Sequence, residues 1–594
     1  MNNLLLKSIT HETDLCVIGG GIAGLLAAIS AARNGAKVII MQDRPVFGGN
    51  ASSEIRMWIR GAHGRNLKET GILEELALEN IYRNPSLNFN IWDSVLYEKV
   101  RYQKGIEILL NCSCLDAEMD GNRINTITGW QLTTQTYHIV KAKIFADCSG
   151  DSILVPLTGA ECRMGREGSD EFGESIEPPE GDKKTMGMSC LIQLRDTGKP
   201  QKYIAPFWAN KYNKGDLPYR LGGDPHWQKD NFWWIELGGE FDSITDTENM
   251  RDELLKINFG VWDYIKNSGE YKSENWELDW MGFLPGKRES RRYVGDLILN
   301  QNHVSEGGRF EDIIAYGGWS MDDHHPSGIR TTEKPTIFHP APSPYGIPYR
   351  VLYSRNIENL MFAGRNISAT HAALSSTRVM ATCGVMGQAL GTAAAIAVKN
   401  NLTPKQIFEF KIKELQQKLM EDDCYLPFIN RDFSSLTKSG KITSTAGNTE
   451  VLSNGIERET NQAKNYWCGG KDVFIEITFD KPSQINGIRI IFDSDLNRDS
   501  WKDEYFGLNI IKDYPMRCSI PLHGYNVNLP ETLVKAFSLE YIDEQGLRHM
   551  FYEENNNYQR LRKIEADIIA VKIILRFKET WGSNEIHLFS FEVY

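Results

Sequence analysis

Leu15-Cys16-Val17-Ile18-Gly19-Gly20-Gly21-Ile22-Ala23-Gly24 is the stretch that decides the fold. An apolar run of strand-forming residues enters a GxGxxG turn, and an Ala-rich helix from Leu25 to Asn34 follows, closed by Gly35. In that order the three glycines have separate tasks. Gly19 makes the tight turn, Gly21 lets a pyrophosphate approach the backbone, and Gly24 allows helix to pack on strand. A second apolar strand, Lys37 to Met41, comes at the correct remove. The position after it normally carries an acid for the ribose hydroxyls; here it is Gln42, with Asp43 next. An amide can donate to and accept from a diol, so Gln42 and Asp43 are the expected ribose contacts.

Further along, three more turns extend the pattern. Gly48-Gly49-Asn50-Ala51-Ser52 follows the second strand, Ala146-Asp147-Cys148-Ser149-Gly150-Asp151 ends another, and Leu360-Met361-Phe362-Ala363-Gly364-Arg365-Asn366 ends a third before a Gly/Ala/Thr-rich helix. Together these turns resemble the FAD-dependent oxidoreductase family of the glutathione-reductase-like superfamily, from Asp14 to about Asn401. Ser53-Glu54-Ile55-Arg56, Gly286 to Gly295 (GKRESRRYVG) and Ser368-Ala369-Thr370-His371 are similar to that family's own sub-pattern. The resemblance implies an FAD cofactor. It lays Gly48, Gly49, Asn50 and Ser52 against the pyrophosphate and flavin, Cys114 by the adenine, and Gly150 and Asp151 at the same cradle. Gly364 and Arg365 fall beside the ribityl chain, and the helix start at Arg378-Val379 faces the flavin N1–C2=O edge. A positive helix end there favours the anionic reduced flavin by about 0.3–1 kcal/mol. Heterodisulfide-reductase-type flavin subunits are similar too, but this chain lacks their cluster cysteines.

For proton transfer the sequence offers Asp322-Asp323-His324-His325, crowded between Gly317-Gly318 and Pro326-Ser327-Gly328, which predicts a rigid loop. A neutral imidazole accepts a proton near neutral pH, and a neighbouring carboxylate fixes its tautomer. His324 is the first candidate base, His325 the second, with Asp322 or Asp323 as the orienting acid and His63 and His371 in reserve. A metal held by the same four residues is the competing reading; no metal is expected. Arg288 or Arg291 is a candidate for binding a substrate oxygen or a carboxylate of the flavin domain. Trp208, Trp227, Trp233, Trp234, Trp262, Trp276, Trp280 and Trp319 offer stacking platforms for sugar rings.

The whole chain has 594 residues, 41% hydrophobic and 24% charged, which is a folded composition of several domains' size. A net charge of −12 makes nucleic acid and anionic membranes poor partners. Ten cysteines without a CxxC pair offer neither zinc-ribbon nor iron–sulfur spacing. The absence of a signal-like N-terminus and an apolar run (Val385 to Val398) too short to span a bilayer lead to a cytoplasmic expectation. Pattern changes divide the chain into an α/β first part of a Rossmann-like FAD domain (1–150), an inserted α+β substrate domain (151–355), and the second part of the FAD domain with its helices (356–429). A Ser/Thr/Lys/Gly-rich linker (430–448) and period-2 strands (449–594) follow. Asn465-Tyr466-Trp467-Cys468, Val473 to Asp495 and the C-terminal strands resemble the discoidin/galactose-binding-like β-sandwich, which implies a possible glycan ligand. The leading expectation is an FAD enzyme that oxidises a hydroxyl-bearing carbon of a sugar-like small molecule. The alternatives are a flavin electron-transfer subunit and a carbohydrate-binding protein with a degenerate flavin fold.

Overall fold

The structure, a computed structural model, describes residues 6–221, 231–498, 500–502, 509–511, 520–521 and 526–594. Trp227 lies outside the described residues. Two compact units are formed: Met1–Gly61 with Ser86–Leu415 and Tyr514–Asn526, and Ala62–Pro85 with Gln416–Asp513 and Val527–Tyr594.

The first unit is built on a mixed sheet. Strands β1 (Lys7–Ile18), β2 (Val38–Met41) and β3 (Ile106–Leu109) run parallel, with Leu15 opposite Val38 and Val38 opposite Ile106. β4 (Cys112–Asp120), β5 (Arg123–Gln131) and β6 (Thr136–Asp147) form an antiparallel meander. β6 also pairs parallel with β1 and with β7 (Leu360–Phe362), so the three ends that carry Gly19, Cys148 and Gly364 come side by side. Leu15 to Ile18 and all of β2 are buried, as strands covered on both faces must be.

Helix α1 (Ile22–Arg33) packs on α2 (Met380–Asn400), and the small residues of α2 exist for that contact. A Cβ on Gly387 would stand 2.1 Å from Ala23 O, and one on Gly391 would stand 2.1 Å from Ala27 O. Ser30 and Thr392 hydroxyls join the two helices at 2.8 Å. α2 is 21 residues long, longer than the expected apolar run and long and apolar enough to cross a bilayer, yet 94% of its apolar window is buried inside the unit. Its composition therefore serves a core. After it, Thr403 caps Pro404–Glu421, with Thr403 Oγ1 accepting from Gln406 N and Gln406 Oε1 from Thr403 N.

The expected insert is not a separate body, because residues 151–355 cluster with the flavin-type sheet in one unit. Helix Thr247–Asn267 lies over the pair Ile192–Asp196/Trp276–Met281, around a core that includes Trp234, Trp262 and Trp276. Those three tryptophans are core residues and not sugar platforms. Trp208, Trp233, Trp280 and Trp319 keep some exposure. Leu237 forms an isolated bridge to Met188.

The second unit is an antiparallel seven-stranded sheet with Phe474–Phe492 and Leu561–Thr580 as its long central strands. The period-2 alternation of the C-terminal strands turns Ile475, Ile477, Phe479, Ile488, Ile490, Phe492, Ile573, Leu575 and Phe577 into one core, while Val473 and Val571 at the start of their runs stay half-buried. The expected linker is part of this fold. Within 430–448, Ser435–Ser439 is helical and Lys441–Ser444 pairs with the long strand, Ile442 opposite Ile477. Helix Ile72–Arg83, expected in the first domain, adds Leu78 and Ile81 to the same core. Polar residues are buried here in pairs. Glu457 accepts from Arg431 at 3.0 Å and from Arg489 at 2.7 Å, and Arg489, Arg431 and Arg560 hold its carboxyl at about 2 although burial alone would raise it.

Candidate active site

The phosphate end is shaped by what glycine leaves out. Gly19 has φ +98°, and a Cβ on it would stand 2.4 Å from Cys148 O; one on Gly24 would stand 1.9 Å from Gly19 O. These two are fixed by the fold itself. Gly21 differs, because a Cβ there meets only Gly49 Cα at 3.9 Å. The space in front of Gly21 is a cradle that a side chain would fill, at the start of a 12-residue helix, and it fits a pyrophosphate. Gly48 (φ +106°) bridges to Gly21 and closes the turn's other side.

Gln42 does not face a ribose. Its Oε1 accepts from Gly20 N at 2.6 Å and its Nε2 donates to Val46 O at 3.1 Å, so both halves of the buried amide pin the phosphate turn. Asp43 is more than half exposed, with Arg44 Nε 3.7 Å from its Oδ1. Asn50 donates to Lys287 O and Ser52 to Gly49 O, which ties the second turn to the GKRES segment. Cys114 is buried on β4, and burial pushes its thiol up to about 12, leaving it chemically inert.

Asp151 holds the third turn. It accepts from Arg365 and Lys287, each at 2.7 Å, and these cations keep its carboxyl at about 2 against the effect of burial. The expected carboxylate of the flavin domain is therefore gripped by Lys287 and Arg365. Arg288 is instead buried against Glu236 at 3.4 Å and donates to Ser189 and Trp233 O. Beside Gly364, Asn366 Oδ1 is fully buried without a partner, and so is Thr382 Oγ1 in the first turn of α2. Orphaned polar atoms at these two points fit a polar ring system laid against them. Val379 is the N-cap of α2 as expected, but the Arg378 side chain turns away and donates to Asp322 O and Oδ2.

The predicted loop at Asp322 to His325 is a strand, Met321–His324, paired with Thr336–His339. Pairing sends its side chains to alternate sides. On one side His324 is buried with Nδ1 2.6 Å from Glu236 and Nε2 3.3 Å from Asp322. Asp322 also accepts from Thr336 and Arg378. Burial opposes both charges, but Arg288 and His324 lower Glu236, and His324 and Arg378 lower Asp322 below the usual carboxylate range. Both ring nitrogens of His324, the first candidate base, face buried carboxylates.

On the other side, Asp323 Oδ1 lies 3.2 Å from His371 Nε2, and His371 Nδ1 lies 2.8 Å from Glu289. Burial works to lower His371, but Glu289 and Asp323 raise it well above its ordinary value, so it is an imidazolium at neutral pH. His371 in turn holds Asp323 ionised below the usual range despite burial. Asp323 and His325, with His339 and Arg166, line a cavity of 630 Å³. His325 is the outward member of the predicted pair, with Nδ1 accepting from Ser327 N at 3.2 Å. His63 is buried and belongs to the second unit.

Sequence reasoning missed Glu236 and Glu289. Glu289 sits in the quoted GKRESRRYVG segment and could have been found there. Glu236 stands in an aromatic stretch with no local signal.

A family model described as FAD dependent oxidoreductase matches residues 14–419. The chain is 55% identical over 47 residues to the fumarate reductase (cytochrome) of Shewanella frigidimarina, a match over 8% of this chain and 8% of that protein. Among solved structures, the family 32 carbohydrate-binding module from Streptococcus pneumoniae EndoD is similar over 27% of this chain and 99% of that one, at 15% identity and a TM-score of 0.20. A geranylgeranyl bacteriochlorophyll reductase-like protein from Thermoplasma acidophilum is similar over 70% of this chain and 86% of that one, at 12% identity and a TM-score of 0.30. At such scores neither likeness carries an argument about the fold.

Proposed function

Since this chain belongs to the FAD-dependent oxidoreductase family, matching its model over residues 14–419, we propose that it oxidises a hydroxyl-bearing carbon of a sugar or glycoside-like small molecule. Bound FAD supplies the hydride acceptor, at N5. Gly21, Gly48 and Gly49 would hold its pyrophosphate, Asp43 its ribose, and Gly364, Asn366 and the first turn of α2 its flavin end.

The chain's own residues handle the proton. Removal of hydride from the carbon leaves a carbonyl only if the hydroxyl proton departs as well. Asp323 is an ionised carboxylate on the wall of the 630 Å³ cavity and is the acceptor in this reading. His371 behind it, anchored by Glu289, fixes the carboxylate and balances its charge. His325 and His339 stand on the same wall and can hydrogen-bond substrate hydroxyls. The observation that carries the reading is this Glu289–His371–Asp323 chain, which runs from the buried interior to a cavity wall.

Asp323→Asn tests it. The variant should keep its FAD, while rapid mixing with a turned-over sugar shows flavin bleaching slowed by about 10²–10⁴-fold. An unchanged rate would remove Asp323 from the chemistry and pass the role to His325. In the wild type, the rate should stay flat from neutral pH down to the ordinary carboxylate range, because Asp323 remains ionised there.

A further inference from the structure

The charged segment between Gly165 and Lys184 holds a feature that the redox reading does not use. Glu167, Glu174 and Glu177 are all buried, at 4%, 1% and 7% exposure, and each brings an oxygen within 4.8 Å of the others. Two of them are not satisfied. Glu174 accepts from Thr370 and Gln301 N through Oε1, but its buried Oε2 has no partner, and neither has Oε1 of Glu177. Glu167 is bound by Arg163, Arg292 and the His371 N–H.

From these contacts we propose that Glu167, Glu174 and Glu177 form a site for a hard divalent cation of the calcium type. Oxygen-only ligands select hard cations, and two oxygens on opposite sides of a Ca²⁺, each at about 2.3–2.6 Å, span the separation found here. Charge points the same way. Among the described residues, Glu167, Glu174, Glu177, Glu289 and Asp323 are met by Arg163, Arg292 and His371, and Arg166, which also acts on Glu177 and Asp323, is itself bound to Asp182, so carboxylates outnumber cations around the cluster. Burying carboxylates without a counter-charge is costly, and they either take up protons or bind a cation. The proton is the competitor. Glu177 is pushed up to about 7 by burial, with Glu174, Glu167 and Asp323 adding to the rise and His371 opposing it.

The FAD-loaded full chain, dialysed against a chelator, is titrated calorimetrically at pH 8 with CaCl₂, and separately with MgCl₂ and MnCl₂. One equivalent of Ca²⁺ should bind and raise the unfolding midpoint, and both effects should vanish in Glu177→Gln. Glu174→Gln gives the same comparison if the first variant does not fold. No binding at millimolar Ca²⁺, or undiminished binding in the variants, overturns the site. A midpoint raised at pH 8 by Glu177→Gln itself, without any cation effect in the wild type, shows that the cluster's charge is left without a cation and also overturns it.

Discussion

Gly21 has a backbone conformation open to any residue, φ −64° and ψ 177°, and nothing nearer to its absent Cβ than 3.9 Å. Gly21→Val should therefore fold and yet fail to retain FAD. Far-ultraviolet circular dichroism should match the wild type while the absorbance of bound flavin is lost. The same test at Gly24 would give an unfolded protein, since its Cβ meets backbone at 1.9 Å. His371 gives a pH signature whose sign follows from its raised value. Its contribution to stability is fully present below about pH 6.5, the ordinary histidine value, and is lost as pH rises toward the folded-state value. Denaturant midpoints of the wild type and His371→Gln should accordingly be furthest apart near pH 6 and converge as pH rises, by at most roughly 1.4 kcal/mol per pH unit. A gap that widens with pH would refute the pairing with Glu289 and Asp323.

Between elements, the contact of α1 with α2 is set by backbone proximity. Ala23 O and Ala27 O lie where side chains at 387 and 391 would begin. Carbonyl oxygens cannot rotate out of the way, so Gly391→Ala should destabilise the first unit by about 1–3 kcal/mol, as overpacking does. Urea unfolding followed by flavin release would measure it. The strand Met321–His324 carries a second lesson at this scale. Four acid–base residues in a row were legible, but strand pairing divides them, giving Asp322 and His324 to a buried network and Asp323 and His325 to the cavity. Period-2 alternation applies only once the residues are known to pair.

At the scale of the molecule, the second unit is assembled from three stretches of chain. A fragment spanning 449–594 lacks the strand Lys441–Ser444, the buried Leu78 and Ile81, and Arg431, which pairs with Glu592 at 2.6 Å. Such a fragment should express as an aggregate or an unfolded chain, judged by gel filtration and proton spectra. A soluble, dispersed spectrum from it would mean that these contributions are dispensable. The reading of 430–448 as a linker is corrected on the same grounds.

Local pattern by itself determined the phosphate turn, the strand–helix order around it and the alternation of the C-terminal strands. Each of these rests on neighbours within one or two turns of chain, where sterics and periodicity act directly. Only the tertiary structure decided the partners of those residues. Gln42 became a brace for its own turn because Gly20 N and Val46 O are brought to it. His324 sits in a buried network because Glu236, 88 residues earlier, meets its Nδ1. Helix Ile72–Arg83 joined a core built some 400 residues later because its apolar face is buried there. Ionic and apolar contacts of that reach depend on which surfaces meet, and the order of residues in a segment does not encode that meeting.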